Sequence, residues 1–146
     1  MTPLTQNEKA ACERALVALV SSTSGVEAAL LASPDGFAVV TATRAQRLDG
    51  PRLAAMSSSM LALGAAMAHD LRLDGCRNIH MEAGDGVVLL LTVPCDRTPL
   101  VLWALAHKGS TLGMVLVATR NCAQAVGRLL DAGVPAGRDA HEAVAP

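Results

Sequence analysis

Between Arg52 and Asp70 the chain reads RLAAMSSSMLALGAAMAHD, a helical segment with no side suited to water. Leu53, Met56, Met60, Leu63 and Met67 recur at heptad spacing and make one apolar stripe. Much of the remaining circumference is small (Ala54, Ala55, Ser57, Ser58, Ala62, Ala65, Ala66, Ala68), which lets another backbone come close. A helix that can bury itself on two sides needs two partners, and a domain of 146 residues usually supplies one. The expectation is that a second protein chain supplies the other, because large exposed apolar patches are rare on monomers. The competing expectation is a central helix covered on both faces within one chain.

The rest of the chain gives this helix its setting. From Asn7 to Ser22, Cys12, Leu16, Leu19 and Val20 share one helical face, while Lys9, Glu13 and Arg14 turn to water. Val26 to Ala32 reads as a strand, Ser33-Pro34-Asp35-Gly36 as a turn, and Phe37 to Thr43 as its hairpin partner. Arg44 to Gly50 is a polar connection, with Asp49 placed to cap the long helix and Pro51 suited to its first turn. Arg77 to Ala83 is a strand, followed by the turn Ala83-Gly84-Asp85-Gly86 and by Val87 to Pro94, apolar on both faces as an interior strand is. Leu100 to His107 is the last strand, and Leu112 to Ala132 the last helix, with Thr111 as its expected cap. The order α-β-β-α-β-β-β-α, joined by tight turns, predicts an α+β domain with an antiparallel five-stranded sheet flanked by three helices. Residues 1–132 form that domain, and residues 133–146, rich in Gly, Pro and Ala, are expected to be a disordered tail.

Composition excludes several partners. There is one Phe, one Trp and no Tyr, so the chain has no aromatic platforms on which single-stranded nucleic acid would stack. A net charge of -1 argues against duplex nucleic acid or an anionic membrane surface. No apolar run is long enough for membrane insertion, and MTPLTQNEKAACER is too polar for a signal peptide, so a cytoplasmic protein is expected. Cys12, Cys76, Cys95 and Cys122 are far apart without a Cys-x-x-Cys pair, which speaks against structural zinc; Cys12 and Cys122 read as core residues.

Residues able to do chemistry are scattered. His69, His80, His107 and His141 lie on different segments, and none has a partner at i, i+4. His80 and Glu82 share a strand face, but one such pair is not a site. Cys76 or Cys95 with His80 would make a nucleophile and base only if the fold brought them together. The segment His107-Lys108-Gly109-Ser110-Thr111-Leu112-Gly113 carries the ingredients of an anion site at a helix N-terminus, without the spacing of a P-loop. Its simpler reading is a turn glycine, a cap at Thr111, and a Gly113 that permits close helix–sheet approach. The sequence therefore points to no catalytic residue, cofactor or metal. Arg44, Arg47 and Arg52 surround the entry to the long helix, where they could meet an acidic surface or simply be solvated.

In this order the residues resemble the roadblock/LC7 family. The resemblance covers roughly residues 10 to 130. It rests on Gly25-Val26-Glu27-Ala28-Ala29-Leu30-Leu31-Ala32-Ser33-Pro34-Asp35-Gly36-Phe37, on Leu53 to Met60, on Trp103-Ala104-Leu105-Ala106, and on Leu112-Gly113-Met114. It implies a roadblock/profilin-like fold and a homodimer or family heterodimer in which the second helices pack side by side and the third strands pair. The interface would take Leu53, Met56, Met60, Ala62, Leu63, Met67, Ile79 and Met81. The resemblance further implies a platform without catalytic residues that binds a small Ras-like GTPase, with Arg44, Arg47, Arg52 and Met56 as candidate contacts. A passive protein–protein scaffold and a small-ligand or anion sensor are the alternatives. Two features depart from the family: the scarcity of aromatics, and the apolar run Met114-Val115-Leu116-Val117, at odds with that helix's usual solvent exposure.

Overall fold

A computed structural model describes residues 3–44 and 48–135. The elements follow the predicted order, with boundaries within two residues: α1 (Gln6–Ser22), β1 (Val26–Ala32), β2 (Ala38–Thr43), α2 (Gly50–Asp70), β3 (Asn78–Glu82), β4 (Gly86–Val93), β5 (Leu100–His107) and α3 (Leu112–Ala132). Most of the expected tail, residues 136–146 with His141, and Arg47 of the polar connection lie outside the described residues.

The strands form one antiparallel sheet in the order β2-β1-β5-β4-β3. Central β5 is buried along almost its whole length, which fits its unbroken LVLWALA run. Helices α1 and α3 cover one face and α2 the other, so there are two apolar layers. Under α1 and α3 lie Cys12, Leu16, Leu19, Val20, Leu102 and Val126 among others. Under α2 lie Leu30, Leu61, Leu90 and Trp103, together with the alanines Ala28, Ala32 and Ala54. The three alanines let α2 lie close to the sheet there; of its large side chains Leu61 is buried in this layer, and Leu53 and Met60 are half-buried at its flank.

Helix α1 begins with a reciprocal cap. The Thr5 N–H donates to Glu8 Oε2 at 2.8 Å, and the Glu8 N–H donates to Thr5 Oγ1 at 3.2 Å. Glu8 is buried, and its other oxygen meets Arg97 Nη2 at 2.6 Å, tying the β4–β5 loop to α1. That loop is also held to the end of α3. The Asp131 carboxylate accepts from the Cys95 thiol and from the Asp96 and Arg97 N–H groups.

Helix α3 departs from expectation at its start. Thr111 occupies the cap position, but its side chain makes no capping bond. Gly113 does not serve close packing either, since a Cβ there would meet nothing within 4 Å. The apolar run at 114–117 divides across the helix: Val115 is buried, while Met114 and Val117 face outward.

Candidate functional site

Helix α2 starts as its sequence dictates. Asp49 caps it, with Oδ1 accepting from the Arg52 N–H at 3.1 Å, and Pro51 occupies the first turn. The face laid on the sheet consists of Gly50, Ala54, Ser57, Ser58, Leu61 and Ala68. The Ser58 hydroxyl lies 2.9 Å from the Ser33 carbonyl and 3.0 Å from the Ala54 carbonyl, anchoring the helix to the β1–β2 turn. Near the C-terminal end Gly64 faces Cys76 and Ile79, and a Cβ there would lie 2.8 Å from the Cys76 sulfur.

The apolar stripe is on the other side. Met56, Leu63 and Met67 are 52%, 70% and 64% exposed, and Ala62 is exposed with them. Ser59, the polar residue amid this face, returns its hydroxyl to the Ala55 carbonyl at 3.0 Å. Leu53 and Met60 sit on the flank, half-buried against the α2 layer. The expectation of a helix covered on both faces within the chain is therefore overturned: the sheet covers the face with Ala54, Ser57, Ser58, Leu61 and Ala68, and nothing among the described residues covers Met56, Leu63 and Met67.

The stripe runs beside β3, the outermost strand. Its outer edge pairs with no strand among the described residues. Ile79 turns in toward the α2 layer, half-buried, and Met81 is 44% exposed. Between α2 and the residues leading into β3 lies an apolar groove of about 770 Å³, floored by Gly64, Cys76 and Ile79 and rimmed by Met67, Leu71 and Leu73. The two rim leucines, each 62% exposed, extend the stripe past the end of the helix. Leu71 was open to detection, since it follows Met67 at the same helical spacing.

The other candidate residues are not gathered together. Arg52 is exposed at the start of α2, whereas the Arg44 guanidinium donates to the Ser21 carbonyl at the end of α1. His69 lies near Asp70 on the surface, and His107 contacts Glu27 across β1 and β5. The Cys76 thiol donates to the Asn78 carbonyl and the Cys95 thiol to Asp131, so neither is poised against His80. Burial pushes the Cys12 and Cys122 thiols up to about 11, as expected of core cysteines. Among the described residues no group of three or more His, Cys, Asp or Glu is placed to hold a metal ion, and no helix is long and apolar enough to cross a membrane. In the segment considered for an anion, Gly109 makes the turn at φ +97° and Ser110 packs against Gly25, where a Cβ would collide with its hydroxyl.

Comparison with known proteins agrees with this geometry. The model of the Roadblock/LC7 domain matches residues 14–95. Gliding protein MglB from Thermus thermophilus is 15% identical, with a TM-score of 0.79 over 91% of this chain and 100% of that one. MglB from Myxococcus xanthus is 14% identical, with a TM-score of 0.78 over 90% and 95%. A Roadblock/LC7 domain from Streptomyces avermitilis is 17% identical, with a TM-score of 0.71 over 81% and 96%. At these identities the likeness is one of fold. No curated protein matches the sequence.

Proposed function

Because the chain belongs to the Roadblock/LC7 family, we propose that it acts as a non-enzymatic homodimeric platform, in the cytoplasm, that binds a small Ras-like GTPase and modulates its nucleotide cycle. The observation that carries this reading is the outward stripe Met56, Leu63 and Met67 lying beside the unpaired edge of β3. A second copy docked there would bury both apolar side chains and free backbone groups, the two liabilities a lone domain leaves in water. It would bring Leu53, Met56, Met60, Ala62, Leu63, Met67, Ile79 and Met81 of each copy to one interface.

Such a dimer presents two α2 helices side by side. Ras-like GTPases hydrolyse GTP slowly on their own, and a partner accelerates them either by supplying a charge or by ordering their own switch groups. The chain suits the second route, which needs a rigid surface and no catalytic residue. Arg52 supplies a polar rim and Met56 an adaptable apolar contact for it.

The test is to mix the chain with the Ras-like GTPase encoded nearest to it and measure GTP hydrolysis and nucleotide exchange. A complex with a changed rate in either supports the proposal. Absence of a complex in both nucleotide states removes the GTPase, and a complex with unchanged kinetics reduces the role to a scaffold.

A further inference from the structure

On the face opposite α2, a cleft of about 470 Å³ lies between the β3–β4 end of the sheet and α3. Arg77, Asn78, Thr92, Arg120 and Gln124 supply its polar lining, and no acidic residue among the described residues lines it. Arg120 has no ion-pair partner among the described residues, and Arg77 has only Asp74, 3.2 Å away in a pair open to solvent. Among the described residues the cleft is thus a cationic recess without an acidic lining. The chain has an anion to match: Glu82, exposed at the far end of β3 and without an ion-pair partner among the described residues.

Symmetry connects the two. The inference rests on the homodimer proposed above. A two-fold axis perpendicular to the sheet is the rotation that satisfies both the stripe and the edge, because it joins β3 to β3 in one sheet and keeps both α2 helices on one face. An axis along the strands would send the helices to opposite faces. The perpendicular axis makes the β3 pair antiparallel. Residues directly opposite in such a pair share a face, so their numbers must have equal parity. Pairing all five residues of Asn78–Glu82 then centres on His80 and sets Glu82 opposite Asn78; any other allowed register pairs at most three residues.

Since Ile79 turns toward α2, Asn78, His80 and Glu82 are on the cleft side. With β3 paired to β3 in that homodimer, we propose that the register is centred on His80 and that Glu82 of each copy enters the Arg77–Arg120 cleft of the other. Opposite Cβ atoms about 5 Å apart leave a glutamate within reach of both guanidinium groups. The contact occurs twice per dimer, and fixes register and self-recognition more than it adds to affinity.

A charge swap tests it. Self-association is measured by sedimentation equilibrium for the wild type, Glu82→Lys, Arg120→Glu and the double variant, with Arg14→Glu on the exposed side of α1 as control. Each single change at the cleft is expected to weaken the dimer about tenfold or more, the double variant to recover most of the loss, and the control to change little. Circular dichroism verifies folding, and His80→Cys, oxidised and mapped by mass spectrometry, is expected to cross-link to itself. Singles that leave the dimer intact, or a swap that restores nothing, overturn the cleft assignment while the dimer stands. A wild type that is monomeric throughout removes the dimer itself.

Discussion

Replacing Arg97 with Met would leave Glu8 as a buried carboxylate held by the Thr5 N–H and side chain but without its cation. Removing one member of a fully buried ion pair costs about 3–5 kcal/mol. Here the Arg97 side chain is 35% exposed, so water recovers part of the loss and about 2 kcal/mol is expected. The pH dependence separates this from lost packing. The Thr5 N–H first, and then Arg97, hold the Glu8 carboxyl below its ordinary 4.5, against the opposing effect of burial. A depressed carboxyl pKa in the folded chain gives stabilisation that is full above the unfolded value and fades as pH falls through the folded one. In Arg97→Met the carboxyl lacks its cation and protonates at higher pH, which relieves the buried charge. Urea denaturation should therefore show the variant about 2 kcal/mol less stable at pH 7 and closer to the wild type below about pH 4. The Asp131 carboxyl, held low chiefly by the Cys95 thiol, contributes an acid dependence common to both proteins. Equal stability at pH 7, or the same deficit at both pH values, would show that the Arg97 charge does not stabilise the Glu8 carboxylate.

Gly127→Ala should cost about 2 kcal/mol in a thermal melt, since a Cβ there would lie 2.2 Å from the Pro94 carbonyl oxygen and α3 or the loop must shift. Leu63→Glu should leave the monomer's stability within about 0.5 kcal/mol when dilute, because the side chain is 70% exposed, yet abolish self-association in sedimentation by burying two unpaired carboxylates. A Leu63→Glu chain that unfolds at all concentrations would instead place Leu63 in the monomer's own core. In the native protein at mildly alkaline pH a thiol reagent should modify the half-buried Cys76 and Cys95 first; Cys12 and Cys122, buried and raised to about 11, should react only on unfolding.

The sequence made the elements legible because periodicity and turn chemistry agreed at nearly every boundary: Asp49 and Pro51 opened α2, and Ser33 to Gly36 closed the first hairpin. The α2 segment also showed that one face would lack a cover. It did not show which face, because alanine and serine fit a close-packed layer as readily as an exposed side; the structure sets Ala54 of α2 in one layer with Ala28 and Ala32 of β1. Thr5-x-x-Glu8 has the spacing of a capping box, but the sequence does not show the ion pair with Arg97, which lies far along the chain. The cationic cleft was missed for the same reason: Arg77 and Arg120 meet only through the sheet–helix packing. Thr111 misled because hydroxyl residues before a helix are frequent caps, and here the side chain makes no such bond.

In the proposed homodimer the outward face of α2 and the free edge of β3 are covered by a second copy of the chain. Sedimentation equilibrium of the unmodified protein at micromolar concentration tests it most directly. A second copy on that face gives a species of about 30 kDa, twice the 15.0 kDa of one chain. A single species at 15.0 kDa across that range would contradict it.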